Sequence, residues 1–162
     1  MTDSTAIPAQ ERQLALAVRI GGRLHALPIE VVEEVLPALP IEAIPQCPPF
    51  VLGVVFVRGH LIPVLNGAER LGLVGHARPT EPHIVCLRAG ERLVGLEVDE
   101  AVDLIEVPTA DPLSLAPLGA RRGFLAGLVE RDGEVVRLLD AARMIDPAEA
   151  DALEPLPRTA SR

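Results

Sequence analysis

Two stretches of the chain align with each other without a gap. The first, 50–66 (FVLGVVFVRGHLIPVLN), aligns with 124–140 (FLAGLVERDGEVVRLLD), which begins 74 positions later. Each opens on phenylalanine and has glycine at its fourth and tenth positions. Upstream, 26–36 resembles 95–105 at a spacing of 69 positions. Two copies are too few for a solenoid, which needs three or more repeats to bury its faces, so we expect two similar units side by side.

The local pattern within each copy predicts short β-strands. Apolar runs of five to eight residues are separated by glycine, proline or charged pairs, and Gly21-Gly22 is typical of a two-residue hairpin turn. Sixteen prolines exclude long helices. Two short helices are expected at Ala68–Leu73 and Ala141–Ile145, with Asn66 and Asp140 placed to cap them. The sequence therefore predicts an all-β fold with short helices, built as two small closed barrels.

The composition excludes several kinds of partner and chemistry. The net charge is −8, so a phosphate backbone would be repelled, and only three aromatic residues are present to stack on bases. Lysine is absent, which removes Schiff-base and Walker-type chemistry. Cys47 and Cys86 have no cysteine or histidine at the spacing of metal ligands. We expect no nucleic-acid partner, no metal and no cofactor.

Nothing in the sequence predicts entry into a membrane. The N-terminal residues are polar and lack the basic and apolar regions of a signal peptide. The longest apolar run, Phe50–Val57, is far shorter than the ~20 residues that span a bilayer. We expect a cytoplasmic protein without direct membrane insertion.

The two copies differ most at the tip of their second hairpin. The first copy has Phe56-Val57-Arg58-Gly59-His60, where the second has Glu130-Arg131-Asp132-Gly133-Glu134. Because the second tip is polar and suited to solvent, we expect Phe56 and Arg58 to be exposed as well. An exposed aromatic residue beside an arginine is typical of an interface hot spot. This difference indicates a binding function.

Two acidic clusters leave an enzymatic function open as an alternative. Glutamates and aspartates lie at corresponding places in the two copies, where a pair of carboxylates could act as acid and base. The residues are Glu30, Glu33, Glu34, Glu97, Asp99, Glu100 and Asp103. A solvated polar rim beside the strand ends accounts for them better, and we predict no catalytic residues.

Four segments together resemble the CheW-like domain. They are 26–36, 48–53, 57–65 and 94–100, in the order and spacing of that family, and the resemblance covers about 13–145. It implies two SH3-like five-stranded barrels. We expect a flexible tail at 1–12, a CheW-like domain at 13–146 with barrels at about 26–75 and 82–140 completed by the terminal segments, and a tail at 147–162.

The resemblance also implies a function. It indicates a non-catalytic adaptor that couples the cytoplasmic tip of methyl-accepting chemoreceptors to the regulatory domain of a CheA-type histidine kinase, at membrane receptor arrays. One alternative is an auxiliary CheW-like scaffold of a non-flagellar pathway, serving pilus motility or second-messenger control with a different partner. A more distant one is an RNA-binding SH3-like barrel, which would need a basic face that this composition does not supply.

The resemblance carries candidate sites over to this chain. It implies a receptor-binding groove between the barrels that involves Val32, Glu34, Gly53, Arg58 and Ile84, and we add Phe56 to these candidates because it is expected to be exposed. The kinase is expected on the hairpin strands of the second barrel, with Leu128, Glu130 and Val136 as candidates. Arg58 stands at the arginine of the family's Asn-Leu-Arg-Gly motif. Phe56 replaces its asparagine, and 66–68 reads Asn-Gly-Ala where Asp-Leu-Arg is usual, so these departures affect the choice of receptor.

Overall fold

The computed structural model describes residues 12–73, 75–108, 123–145 and 149. Within them the chain forms ten β-strands, a short α-helix and two 3-10 turns, which confirms the all-β prediction. In chain order the elements are β1 (Arg12–Ile20), β2 (Arg23–Pro28), a 3-10 turn (Ile29–Val31), β3 (Val32–Leu36), β4 (Val51–Val57), β5 (His60–Asn66), α1 (Gly67–Arg70), β6 (His83–Ala89), β7 (Arg92–Val98), β8 (Glu100–Pro108), β9 (Leu125–Arg131), β10 (Glu134–Leu139) and a second 3-10 turn (Ala141–Arg143).

The strands form two five-stranded sheets. One has the order β3-β6-β7-β5-β4 and is called barrel 1; the other has the order β8-β1-β2-β10-β9 and is called barrel 2. The two orders become the same when each strand of barrel 1 is replaced by the strand five places later in the chain, with β1 counted as the strand after β10. Each sheet contains one parallel pair, β5 with β7 and β2 with β10, at corresponding places. The sequence repeat is therefore a structural repeat.

The barrels divide the chain differently from the prediction. Residues 82–98, expected to open the second barrel, supply β6 and β7 of barrel 1. Residues 26–28, expected in the first barrel, belong to β2 of barrel 2. The reason is the short connections: Asp99 alone joins β7 to β8, and one 3-10 turn joins β2 to β3. The chain therefore crosses directly between barrels, and each barrel combines three strands of one half with a hairpin of the other.

Both halves end their second hairpin in the same way. The side chain of Asn66 accepts a hydrogen bond from the first turn of α1, and that of Asp140 from the following 3-10 turn, both at 3.1 Å. The backbone N–H of Asn66 donates to the carbonyl oxygen of Phe50, and that of Asp140 to Phe124, both at 2.8 Å. The predicted caps are confirmed. The helices are shorter than predicted, and Gly72, at a φ of +74°, adopts a conformation that α1 cannot continue through.

The largest apolar cluster joins the two barrels. It takes buried side chains from β1, β2 and β10 of barrel 2 and from β4, β5, β6 and β7 of barrel 1, and Val32 of β3 packs against it. Its fully buried members include Val18, Leu27, Leu65, Leu87, Leu96 and Met144. Two smaller clusters belong to one barrel each, around Val136 in barrel 2 and Val64 in barrel 1. Because burial of apolar area drives folding, the shared cluster makes the two barrels one unit.

The predicted tails lie almost wholly outside the described residues. Two of their residues are described: Arg12, which begins β1 and so is not part of a tail, and Glu149, which is half-buried. In the described part of the chain, no helix has the length and apolar character needed to cross a membrane.

Candidate functional site

The tip of the β4–β5 hairpin presents Arg58 in an uncommon conformation. Arg58 has a φ of +51° and Gly59 a φ of +83°, as a two-residue type I′ turn requires. The equivalent turn of barrel 2 has Asp132 at +53° and Gly133 at +82°. Aspartate tolerates this left-handed conformation, whereas for arginine it costs roughly 1 kcal/mol or more. An arginine kept at a locally unfavourable position points to a task for its guanidinium.

Arg58 is held by Glu34 of β3. Its Nε and a terminal nitrogen donate to the two carboxylate oxygens of Glu34, at 2.8 and 3.2 Å. This hydrogen bond lowers the pKa of Glu34 and raises that of Arg58, so both stay ionised. The Arg58 side chain nevertheless remains 75% exposed. Two of the predicted receptor-binding residues thus form a bidentate ion pair, and the Arg58 side chain of this pair stays exposed to solvent.

A pocket of about 390 Å³ lies beside this ion pair. Its floor includes Ile62 and Cys86, and a second ion pair, Glu33 with Arg88 at 2.9 Å, stands on its rim. Burial, followed by the charges of the two rim glutamates, raises the pKa of Cys86 to about 11, so the thiol stays neutral. All lining residues belong to barrel 1 or its turns. The pocket, here called the end pocket, therefore lies at one end of barrel 1 and not in a groove between the barrels.

Two of the predicted receptor-binding residues are too buried to touch a partner. Ile84 is 1% exposed, within the core of barrel 1, and Gly53 is buried where the Ile41–Glu42 segment crosses β4. Val32 is half-buried at the start of β3. Ile84 and Gly53 therefore shape barrel 1 behind the ion pair, while Val32 stays a candidate for contact.

Phe56 is exposed, as predicted. Its side chain is 60% exposed, the most of any large apolar residue in the described part of the chain. Alternate residues of a strand face opposite sides, and its neighbour Val57 lines the end pocket while Phe56 does not. Phe56 pairs across the hairpin with Leu61. Phe56 therefore adds an exposed apolar side chain close to the hairpin tip.

Replacing Phe56 with asparagine is expected to change stability by less than about 1 kcal/mol, because an exposed side chain contributes little to the core. Thermal unfolding of the two proteins measures the difference. A loss of about 3–5 kcal/mol, typical of a buried aromatic residue, would show that Phe56 is part of the core.

The predicted kinase-facing residues are also divided by the structure. Val136 is fully buried at the centre of the barrel 2 core, which removes it from any docking surface. Leu128 is half-buried, and Glu130 is exposed at the hairpin tip, where its carboxylate accepts the N–H of Gly133 at 2.7 Å. The hairpin tip is therefore mostly polar, and Val135 of β10, paired with Glu130, is 45% exposed beside it.

Barrel 2 carries an apolar surface that sequence reasoning missed. Leu14 of β1 and Val102 and Leu104 of β8 are 47%, 48% and 52% exposed. Leu104 lies opposite Leu16 on the outer face of the sheet, and Val102 is the extra residue of a β-bulge in β8. These three residues are called the apolar strip. The sequence of β8 does place apolar residues on both faces of the strand. That pattern is equally typical of a strand that is buried on both sides, so it does not predict an exposed apolar surface.

Five of the seven residues of the acidic clusters are engaged with arginines or backbone groups, at several places. Glu33 and Glu34 pair with arginines on the rim of the end pocket, Glu97 with Arg78, and Asp99 accepts the N–H of Gly22. No group of three or more potential metal ligands occurs among the described residues.

The comparison with known families decides the assignment. A profile described as the CheW-like domain matches residues 14–149. The chain belongs to the CheW family. It is 32% identical over 161 residues to protein FrzA of Myxococcus xanthus, covering 94% of this chain and 99% of that protein. It is 28% identical over 140 residues to chemotaxis protein CheW of Rhizobium meliloti strain 1021, covering 85% and 90%.

A solved structure supports the fold of this CheW-family chain. The scaffolding protein TtCheW from Thermoanaerobacter tengcongensis matches with a TM-score of 0.74 and 20% identity, over 92% of this chain and 96% of that one. The predicted pair of SH3-like barrels is thereby confirmed. The CheW assignment also confirms the resemblance drawn from the sequence.

Proposed function

We propose that this CheW-family chain is a non-catalytic adaptor that couples the cytoplasmic tip of methyl-accepting chemoreceptors to the regulatory domain of a CheA-type histidine kinase. The observation that carries the proposal is two separate surfaces of different chemistry on barrels that share one core. Relatives named as chemotaxis and scaffolding proteins support the pathway. Such a protein would act in the cytoplasm, at the receptor arrays.

The receptor is proposed to dock at the end of barrel 1. The end pocket offers an apolar floor, while the Glu34–Arg58 and Glu33–Arg88 pairs supply fixed charges of both signs on its rim. This arrangement suits a partner segment that inserts an apolar side chain and pairs its polar groups with the rim, as protein interfaces commonly do. Phe56, at the adjacent tip, is proposed to contribute to the choice of receptor.

The kinase is proposed to dock on the apolar strip of barrel 2. The strip lies along β8, which is an edge strand. An edge strand with exposed apolar side chains is an aggregation hazard unless a partner covers it. The hairpin surface of Leu128 and Glu130, with Val135 beside it, is the competing location, but Val135 is its one exposed large apolar residue among those described, against three in the apolar strip.

Separate surfaces would allow the chain to act by tethering. A receptor and a kinase bound to the same body have a high effective concentration for each other, so weak binary contacts become strong within an array. Receptor state then alters kinase state through the difference in contact free energy between the two states. No covalent chemistry is required of this chain.

The proposal is tested by measuring binding to a receptor cytoplasmic fragment and to a kinase regulatory domain in parallel. Arg58→Glu is expected to weaken receptor binding at least about tenfold and leave kinase binding unchanged, because a hot-spot charge is reversed. Leu104→Asp is expected to do the opposite. Arg131→Glu, the same charge change on the equivalent hairpin of barrel 2, is the matched control for receptor binding.

The outcomes separate the possible surfaces. Kinase binding lost with Glu130→Arg and retained with Leu104→Asp would move the kinase site to the hairpin. Wild-type protein that binds neither fragment would reject the coupling function itself and favour an adaptor with different partners.

A further inference from the structure

Strand β8 lies at an edge of barrel 2 and turns the backbone of alternate residues away from the sheet. The carbonyl oxygen of Arg19 accepts a hydrogen bond at 2.7 Å from the residue that precedes β8, so the backbone of Arg19 faces this strand. Alternation along β1 gives Ala15 the same direction, and its partner in β8 is Ile105. The residues on either side of Ile105, Leu104 and Glu106, therefore direct their backbone N–H and C=O groups to the outer edge.

Side chains of this chain already occupy part of that edge. The N–H of Leu104 donates to Oδ1 of Asp103 at 2.8 Å. The carbonyl oxygen of Glu106 accepts a hydrogen bond from a terminal nitrogen of Arg12 at 3.2 Å, and Nε of Arg12 lies 3.4 Å from the Glu106 carboxylate. The next outward residue, Pro108, has no N–H to donate. Each of three successive outward residues of β8 thus has a backbone group that is satisfied locally or missing.

A second copy of this chain is the strand partner that this edge would otherwise fit. β8 can pair antiparallel with itself about a two-fold axis, which is the symmetry of most homodimers. Directly opposite residues of such a pair share a face, so with Leu104 opposite its copy the two apolar strips would form one surface. Leu104 and Val102, 52% and 48% exposed, would be partly shielded from water. Burial of apolar area and new backbone hydrogen bonds would both favour the pairing.

We propose that the β8 edge is a latent self-pairing site, and that Asp103 and Arg12 hold it closed to a second copy of this chain. A strand that paired with β8 would have to displace Asp103 from the N–H of Leu104 and Arg12 from the carbonyl oxygen of Glu106. Both blocking side chains belong to exposed residues, so the contacts close the edge without burying a charge. The inference does not depend on receptor or kinase binding.

The test compares self-association of the full-length wild type and of Arg12→Ala/Asp103→Ala by sedimentation velocity over a range of protein concentrations. Alanine has neither a charge nor a side-chain hydrogen-bonding group, and the double substitution keeps the net charge at −8. We expect a monomeric wild type and a double variant whose dimer affinity is at least about tenfold higher than that of any wild-type dimer. Hydrogen exchange of the Leu104 N–H in the variant should slow at least about tenfold from dilute to concentrated protein, because pairing protects it.

Arg19→Ala/Glu134→Ala is the matched control. It removes an ion pair of the same barrel, at 2.7 Å, and also keeps the net charge, but its residues lie on β1 and β10, which are paired on both sides. This control should stay monomeric. Asp103→Asn, which keeps an acceptor oxygen for the N–H of Leu104, should stay monomeric as well.

A proline substitution separates strand pairing from apolar contact. Leu104→Pro added to the double variant removes the outward N–H and keeps an apolar side chain, so it should restore the monomer. Association that persisted with this proline would overturn the proposal, as would a double variant as monomeric as the wild type or a control that associated equally. If the double variant fails to fold, Asp103→Ala alone carries the same test with a smaller expected gain in affinity.

Discussion

Replacing Gly53 with alanine is expected to destabilise the protein by about 3–4 kcal/mol. Gly53 has a φ of +149°, and a Cβ atom there would lie 2.1 Å from the carbonyl oxygen of Glu42. That oxygen accepts the N–H of Val54 while Glu42 donates to Val54 in return, both at 2.9 Å. Alanine would therefore displace the segment that covers the edge of β4. Two lost hydrogen bonds at ~1 kcal/mol each and the backbone strain account for the estimate.

Gly59→Ala is the matched control for this experiment. Gly59 also has a positive φ, +83°, but no atom lies within 4 Å of its ideal Cβ position. Only backbone strain remains, which costs about 1 kcal/mol. Chemical denaturation of both variants measures the difference. If Gly53→Ala were as stable as wild type but bound receptor poorly, Gly53 would act through a direct contact, and its assignment as a structural residue would be wrong.

The sequence predicted the elements that depend on local signals. The Gly21-Gly22 hairpin turn, the caps at Asn66 and Asp140 and the exposure of Phe56 are all present. Each follows from a few adjacent residues or from comparing the two copies at one position. Such signals suffice because turn and cap geometry is determined over two to four residues.

The assignment of strands to barrels could not be predicted in the same way. Alignment of the two halves shows that the hairpins β1–β2 and β6–β7 are equivalent. The same alignment would result whether each hairpin packed in the barrel of its own half or in the barrel of the other half. The barrel that each hairpin joins is determined by the short connections Ile29–Val31 and Asp99. It is also determined by the parallel pairing of β7 with β5 and of β2 with β10. These are long-range contacts that periodicity does not report.

The structure brings only some of the predicted site residues to an exposed surface. Glu34 and Arg58 do meet, but Gly53, Ile84 and Val136 are buried. A family resemblance indicates which positions correspond between proteins. It does not indicate whether a residue acts by contact with a partner or by shaping the fold. The position of Arg70, whose guanidinium carbon lies 4.1 Å from the ring centre of Phe50 and 4.5 Å from that of Phe124, was missed for another reason. Its partners are far from it in sequence, and no pattern marks an isolated arginine.

Replacing Arg78 with methionine is expected to cost about 3 kcal/mol of stability. Arg78 binds the two carboxylate oxygens of Glu97 at 3.1 and 2.6 Å, and the pair raises the pKa of Arg78. The Glu97 side chain is only 2% exposed, whereas Arg78 is 54% exposed. Methionine keeps the apolar stem and removes the charge. A buried carboxylate then loses its counter-charge, which is costly because water cannot replace the lost partner.

Arg88→Met separates this effect from the loss of an ordinary ion pair. Arg88 has the same side-chain exposure, 54%, and one carboxylate partner at 2.9 Å, but that partner, Glu33, is 42% exposed. Water solvates Glu33 once the arginine is gone, so we expect a loss below about 1 kcal/mol. Glu97→Gln in the Arg78→Met background should recover part of the stability, because a neutral amide is less costly to bury than a carboxylate. Equal losses for Arg78→Met and Arg88→Met in urea unfolding would show that burial of Glu97 does not determine the strength of this pair.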